Sequence, residues 1–257
     1  MNTLDQLFKH KKNNLLAIYF TAGYPKLDDT PKIIKALEKS GSDLIEVGIP
    51  YSDPLADGSV IQKTSEQALK NGLTIDVLFQ QLASVQPLQT PILLMGYYNQ
   101  LMKYGLEKFL QNCKKTNVSG LIIPDMPVEI YQEQHQAMFE AYDQKVVFLV
   151  TPKTSEERAQ KLIDGTTGFV YIVSNSATTG TSNSAYNESF LKRIKEKQLS
   201  KPSLVGFGIA TATDYQKATK FANGAIIGSA FLKMLGESEN LDQAIEQFIY
   251  SIKTKEA

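Results

Sequence analysis

A carboxylate set inside an otherwise apolar strand is the residue of this chain whose type and position most invite chemistry. The segment Asp43-Leu44-Ile45-Glu46-Val47-Gly48 alternates with a period of two, so Leu44 and Glu46 share one face while Ile45 and Val47 share the other. If the β-branched pair packs outward, Glu46 points into the interior. Partial desolvation there raises a carboxyl pKa and suits it to proton exchange near neutral pH. The structural alternative is a buried glutamate paired with a lysine, and no lysine stands at the end of another strand to fill that part. The loop that follows, from Gly48 through Ile49-Pro50-Tyr51-Ser52-Asp53-Pro54-Leu55-Ala56-Asp57 to Gly58, carries two more carboxylates in a turn shaped by Pro and Gly. Asp53 before Pro54 is open to a plain Asx-type turn. Asp57 either caps a helix that starts near Ser59 or faces the same pocket as Glu46. In the second case, two carboxylates in different surroundings divide acid and base roles.

The far end of the chain supplies a candidate anion site. Gly206-Phe207-Gly208-Ile209-Ala210 and Gly228-Ser229-Ala230 each follow an apolar run, and glycines there let backbone N–H groups approach a ligand closely. Two ordinary tight turns are the bland reading. Glycines after both runs, with a short helix expected over 229–234, fit a phosphate cup better. Tyr171 ends another apolar run, where it either packs in the core or touches a ligand. His10 and His135 fall in amphipathic stretches and are expected at solvent or at an interface, and Met95, Met102 and Met138 are expected to fill core or surface space. No His, Asp or Glu cluster has metal-ligand spacing, so no metal is expected.

These residues need strands to hold them. Short apolar runs at 15–20, 43–47, 92–95, 120–123, 145–150, 169–173, 203–206 and 224–227 alternate with amphipathic stretches such as 31–40, the βαβα pattern of a parallel sheet. Eight strands favour closure into a (β/α)8 TIM barrel, an α/β fold whose chemistry collects on the loops after the strands. A doubly wound open sheet more often stops at five or six strands, and no G-x-G-x-x-G follows the first one. The first fourteen residues read as an extra N-terminal helix with Leu4, Leu7 and Phe8 on one side. Nothing divides the chain, so residues 1–257 are expected to form a single domain. The polar tract 174–187 is too long for a simple connection and is expected to be a lid or binding loop.

Composition narrows the function classes. The 27 basic and 27 acidic residues are interspersed, which leaves no field of one sign for nucleic acid or an anionic membrane. The one cysteine, Cys113, sits in a polar helical stretch without a partner, so neither a disulfide framework nor thiol chemistry is expected, and a reducing cytoplasm fits. The N-terminus lacks a signal-peptide core and no run is long enough to span a bilayer.

The segment from Leu44 to Gly58 resembles the signature of the tryptophan synthase alpha chains. The other motifs follow in that family's order: Tyr19-Phe20-Thr21-Ala22-Gly23-Tyr24-Pro25, Asn99, Asp125-Met126-Pro127-Val128-Glu129, Thr178-Thr179-Gly180, Gly206-Phe207-Gly208 and Gly228-Ser229. The resemblance covers essentially the whole chain. It implies cofactor-independent retro-aldol cleavage of indole-3-glycerol phosphate to indole and glyceraldehyde 3-phosphate, in tryptophan biosynthesis. Glu46 then matches the family's general acid–base residue, and Asp57 the carboxylate that contacts the indole N–H and, through Thr179, ties the second loop to the sixth. Gly180, Phe207, Gly208, Gly228 and Ser229 match the phosphate site, and Tyr19, Tyr171 and Ile226 would line the indole and glycerol pocket. The resemblance also implies a pyridoxal-phosphate-dependent beta chain as partner in an alpha2beta2 heterotetramer, docked on a face that includes Asp53, Pro54, Asn99 and Pro127. Ser42 and Ser59 stand where many members have alanine and proline, and 174–180 lacks the basic residue many members carry there.

Three other readings compete. A sugar-phosphate epimerase or prenyltransferase barrel accounts for the glycine cup and leaves the Glu46-to-Asp57 segment unexplained. A silent subunit that binds a phosphate ligand only to regulate a beta chain would tolerate loss of Glu46, which is present. A free-standing indole-releasing lyase shares the chemistry and differs only in partnership.

Overall fold

The computed structural model describes residues 1–54, 57–174 and 187–254. Among these residues nine parallel strands are found: β1 Leu15–Thr21, β2 Leu44–Gly48, β3 Ile92–Met95, β4 Val118–Ile122, β5 Lys145–Val147, β6 Leu149–Val150, β7 Val170–Val173, β8 Ser203–Gly206 and β9 Gly224–Ile227. They form one sheet in the order β5-β4-β3-β2-β1-β9-β8-β7-β6. β5 and β6, at its two ends, are consecutive in the chain, so the sheet closes on itself at Phe148. The barrel expected from the sequence is therefore present, with its fifth strand divided. The division has a local cause: the Val146 N–H donates to the Thr167 hydroxyl at 2.8 Å and the Phe148 N–H to the Thr166 hydroxyl at 3.3 Å. Side-chain oxygens take the donors that a regular ladder would give to carbonyls.

Helices cover the outside because each connecting segment buries one apolar stripe. Thr30–Lys39 buries Ile33, Ile34 and Leu37 and packs against Leu241–Lys253, while Leu106–Lys115 buries Phe109, Leu110 and Cys113. Cys113 is fully buried, which corrects its expected place in a polar stretch: three-to-four residue spacing puts it on the apolar face with Phe109 and Leu110. Ser42 is also buried, and its hydroxyl donates to the Leu44 carbonyl at 2.9 Å, so the polar atom finds a partner without disturbing β2.

The expected N-terminal helix is Thr3–His10, and it seals the barrel floor. The Asn2 amide donates to the Ser119 carbonyl at 2.9 Å and the Asp143 carbonyl at 2.7 Å, and Phe8 meets Phe169 edge-on. Asp43, expected in the second strand, stops just short of it. Its carboxylate accepts the Leu16 N–H at 2.8 Å and pairs with Lys11 at 2.7 Å and Lys253 at 3.4 Å, tying both chain ends to the floor.

Strand spacing near the floor leaves no room at Gly224, where an added Cβ would sit 2.2 Å from the backbone oxygen of Leu15. Backbone cannot swing aside as a side chain does. Gly224→Ala is therefore expected to lower unfolding free energy by about 2 kcal/mol, the usual scale for overpacking, as read from urea denaturation at fixed pH.

Candidate active site

Glu46 lies at the centre of β2, fully buried, in register with Tyr19 of β1 and Leu93 of β3. Register partners on neighbouring strands face the same side, so Glu46 projects inward with Tyr19, as the alternation predicts. Both carboxylate oxygens lack a hydrogen-bond partner among the described residues. Burial alone then governs the group, and it pushes the Glu46 pKa up to about 8. Among the described residues the pairing with a lysine that sequence reading left open does not occur. Tyr19 and Tyr171 are equally buried and their phenols are held above the usual range, first by burial and then by the nearby carboxylates, Asp57 ahead of Glu46 for Tyr19 and Glu46 ahead of Asp57 for Tyr171. Each phenol lies over a glycine at a strand end: an added Cβ would fall 2.1 Å from the Tyr19 hydroxyl at Gly48 and 2.3 Å from the Tyr171 hydroxyl at Gly206. Gly206 thus admits a ring, a purpose apart from the anion approach expected of it.

Asp57 does not cap the next helix. The N-cap of Ser59–Lys70 is Gly58, with no side-chain capping bond. The Asp57 carboxyl instead turns to the barrel mouth, where burial raises its pKa and a hydrogen bond from the Tyr97 side chain opposes the rise. Tyr97 lies two residues before Asn99 after the third strand and escaped the sequence reading, because an aromatic beside a strand end looks like core packing. Its ring also packs against Tyr51, centroids 5.1 Å apart.

A cavity of about 550 Å³ opens at this end of the barrel, walled by Tyr19, Asp57, Tyr171, Phe207, Gly208, Ile226, Gly228 and Ser229, eight of the residues predicted for the site. Ile61, Met95, Lys233, Met234 and Glu237 also line the wall and were not predicted for it. Glu46 is enclosed behind this wall and does not reach the cavity surface. On the opposite side Phe207 and Gly208 both adopt left-handed backbone, φ 68° and 76°. For phenylalanine that conformation is strained, and it is held here by the Ser174 hydroxyl, which donates to the Gly206 and Phe207 carbonyls at 3.0 and 2.5 Å. Gly228 starts the helix Ser229–Glu237, longer than the expected 229–234, whose first turn lies on the cavity wall. The first N–H groups of a helix have no intrahelical acceptor and carry about half a positive charge, which suits an anion. Thr179 and Gly180, with the rest of the expected lid, lie outside the described residues; its flanks meet where the Asn187 N–H donates to the Ser174 carbonyl at 3.4 Å.

The residues expected on a docking face gather on the same end of the barrel. Asp53 is exposed and accepts the Ser52 hydroxyl, Pro54 is half-buried, and Asn99 and Pro127 are exposed. The Asn99 amide donates to the Tyr51 hydroxyl at 3.1 Å, joining the loops after β2 and β3. The Asp125 carboxylate accepts the Tyr98 N–H at 2.8 Å and adds the loop after β4. His135, expected near solvent, is buried, with its Nε2 2.6 Å from the Tyr98 hydroxyl; the π-helical turn Tyr131–His135 shifts the helical phase and turns the ring inward. His10 is exposed as expected.

The sequence model of the tryptophan synthase alpha chain matches residues 5–257. The chain belongs to the tryptophan synthase alpha chain family. Family relatives include the alpha chain of Karelsulcia muelleri, 50% identical with 98% of this chain and 100% of the relative covered, and that of Christiangramia forsetii, 46% identical with 98% and 99% covered. Among solved structures, the tryptophan synthase subunit alpha of Legionella pneumophila superposes with a TM-score of 0.86 at 29% identity, covering 98% of this chain and 97% of that one. An aminoacrylate-bound tryptophan synthase from M. tuberculosis also gives 0.86, at 26% identity and 98% coverage of both. The alpha-chain reaction is the lyase cleavage of indole-3-glycerol phosphate to indole and glyceraldehyde 3-phosphate, and the alpha chain's partner is the beta chain of tryptophan synthase.

Because the Glu46 pKa is raised in the folded alpha chain, the unfolded chain holds fewer protons at this position between about 4.5 and about 8. The stability contributed by the protonated group is present in full below about 4.5 and is lost as pH rises through about 8. Glu46→Gln keeps the shape and cannot ionise. Denaturation series from pH 5 to pH 9 are expected to show the variant gaining stability over the parent as pH rises.

Proposed function

We propose that Glu46 is the proton-transferring residue of the retro-aldol cleavage and that Asp57 is its electrostatic partner. The observation that carries the reading is a fully buried carboxyl with no hydrogen-bond partner among the described residues and a pKa raised to about 8, set beside Tyr19 behind the wall of a cavity that bears a second carboxyl. At neutral pH Glu46 is largely protonated and is able to donate. In the reaction, it gives its proton to indole C3 while Asp57 holds the indole N–H and balances the positive charge on the resulting indolenine ring. The bond between C3 and the glycerol carbon then breaks and its electron pair returns to the ring. The hydroxyl on that carbon becomes the aldehyde as its proton passes to the Glu46 carboxylate, which restores the acid. To touch the substrate, Glu46 rotates past the cavity wall; catalytic geometry of this kind tightens on binding.

Tyr19, Tyr171 and Ile226 flank the indole and glycerol portion, and Phe207, Gly208, Gly228 and Ser229 hold the phosphate with backbone donors and the helix N-terminus. Thr179 and Gly180 complete the pocket from the loop after β7, Thr179 by a hydrogen bond to Asp57. The chain works as one domain over 1–257, in the cytoplasm and without a cofactor of its own, pyridoxal phosphate being confined to the beta chain. The face formed by Asp53, Pro54, Asn99 and Pro127 receives that partner in an alpha2beta2 assembly.

Steady-state indole release tests the assignment. Glu46→Gln is expected to lower kcat by about 100-fold or more with little change in KM, since shape is kept and the titrating proton is lost. Asp57→Asn is expected to lower kcat/KM on a similar scale through loss of charge stabilisation. Turnover near that of the parent in Glu46→Gln would remove Glu46 from the reaction, and unchanged kinetics in Asp57→Asn would leave it a purely structural residue of the loop.

A further inference from the structure

We infer that Lys233 reads the charge of the substrate phosphate and sets the preference for phosphorylated over unphosphorylated substrates, an inference that rests on the phosphate placement proposed above. The cavity wall carries two carboxylates, Asp57 and Glu237, and among its described residues Lys233 is the only cation. A phosphate monoester brings between one and two negative charges near neutral pH. Against these, the backbone turn at Phe207 and Gly208 and the start of the helix Ser229–Glu237 offer partial charges, about half a unit from the helix end. With two acids on the wall opposing these partial charges, a full positive charge there would add to the preference for a dianion.

Lys233 is placed to supply it. It follows Ser229 by four residues, so the two share one face of the helix, and Ser229 is itself on the cavity wall. Helical side chains lean toward the N-terminus of their helix, which carries the Lys233 stem back over Gly228 and Ser229 rather than out along the axis. Glu237 stands one further turn away. Lys233 forms no ion pair with it or with any other described residue, so the ammonium is not committed elsewhere. The side chain is exposed, which keeps the charge hydrated and free to swing onto a ligand. It acts by binding and takes no part in proton transfer.

The test compares the parent with Lys233→Met, which keeps the stem and removes the charge, and with Lys233→Arg, which restores charge. With indole-3-glycerol phosphate, Lys233→Met is expected to raise KM about 10-fold with kcat within about twofold, and Lys233→Arg to recover most of the loss. With unphosphorylated indole-3-glycerol the parent and Lys233→Met are expected to perform alike. Glycerol phosphate binding by calorimetry should weaken in Lys233→Met and lose part of its salt dependence. An unchanged KM for the phosphorylated substrate, an equal loss with the unphosphorylated one, or no recovery in Lys233→Arg would overturn the inference. Failure of the parent itself to cleave indole-3-glycerol phosphate would instead overturn the functional reading beneath it.

Discussion

The desolvation of one carboxyl group is the constraint around which this barrel is arranged. Glu46 sits in the middle of a strand with no exposure and no hydrogen-bond partner among the described residues. Burying an ionised carboxylate in that setting costs several kcal/mol, and the group avoids most of the cost by holding its proton. A lysine or a ring of N–H donors would have stabilised the charged form and returned the pKa to the ordinary range. What stands beside it is a set of apolar strands and the phenols of Tyr19 and Tyr171, themselves buried and held neutral. The closed sheet is what makes this environment available, because only the interior of a packed barrel keeps water away from the middle of β2.

The two ends of the barrel divide stability from reactivity. At the floor, charges are neutralised and fixed: Asp43 joins Lys11, Lys253 and the Leu16 N–H, and Asn2 bridges the starts of two strand segments. At the mouth, potential is left unspent. Asp57 is held by Tyr97 rather than by a cation, Phe207 is kept in left-handed backbone by Ser174, and a helix begins at Gly228 without a side-chain cap. Tyr51 and Tyr97 place the carboxylate of the second loop in direct physical continuity with Asn99 on the expected docking face. A partner seated on that face would therefore press on residues that position Asp57.

Much of this was legible in the residues. Period-two alternation placed Glu46 inside, β-branched runs located the strands to within two residues at each end, and the glycines singled out after the last two strands, with Phe207 and Ser229, do line one cavity. What was missed depends on pairing over long sequence distances. The break at Phe148 follows from hydroxyls of Thr166 and Thr167 nearly twenty residues on. Tyr97 reaches Asp57 only because the second and third loops meet. Cys113 and His135 were misplaced because a locally polar stretch says little about which face a helix turns inward. Lys233 carries no local signal and comes to the cavity wall because its helix starts there. In each case a local pattern was overruled by a tertiary neighbour that no short window contains.

The account turns on Glu46 being protonated by burial, so the most direct measurement is the titration of that carboxyl in the folded protein. Glutamate labelled with 13C at the side-chain carboxyl, with Glu46→Gln used to assign the resonance, allows its pKa to be followed by NMR across the pH range. A midpoint near 8 is the result predicted here. A midpoint in the ordinary glutamate range, near 4.5, would show that the carboxyl finds charge or hydrogen-bond stabilisation in the folded chain and would contradict its role as the neutral acid of the site.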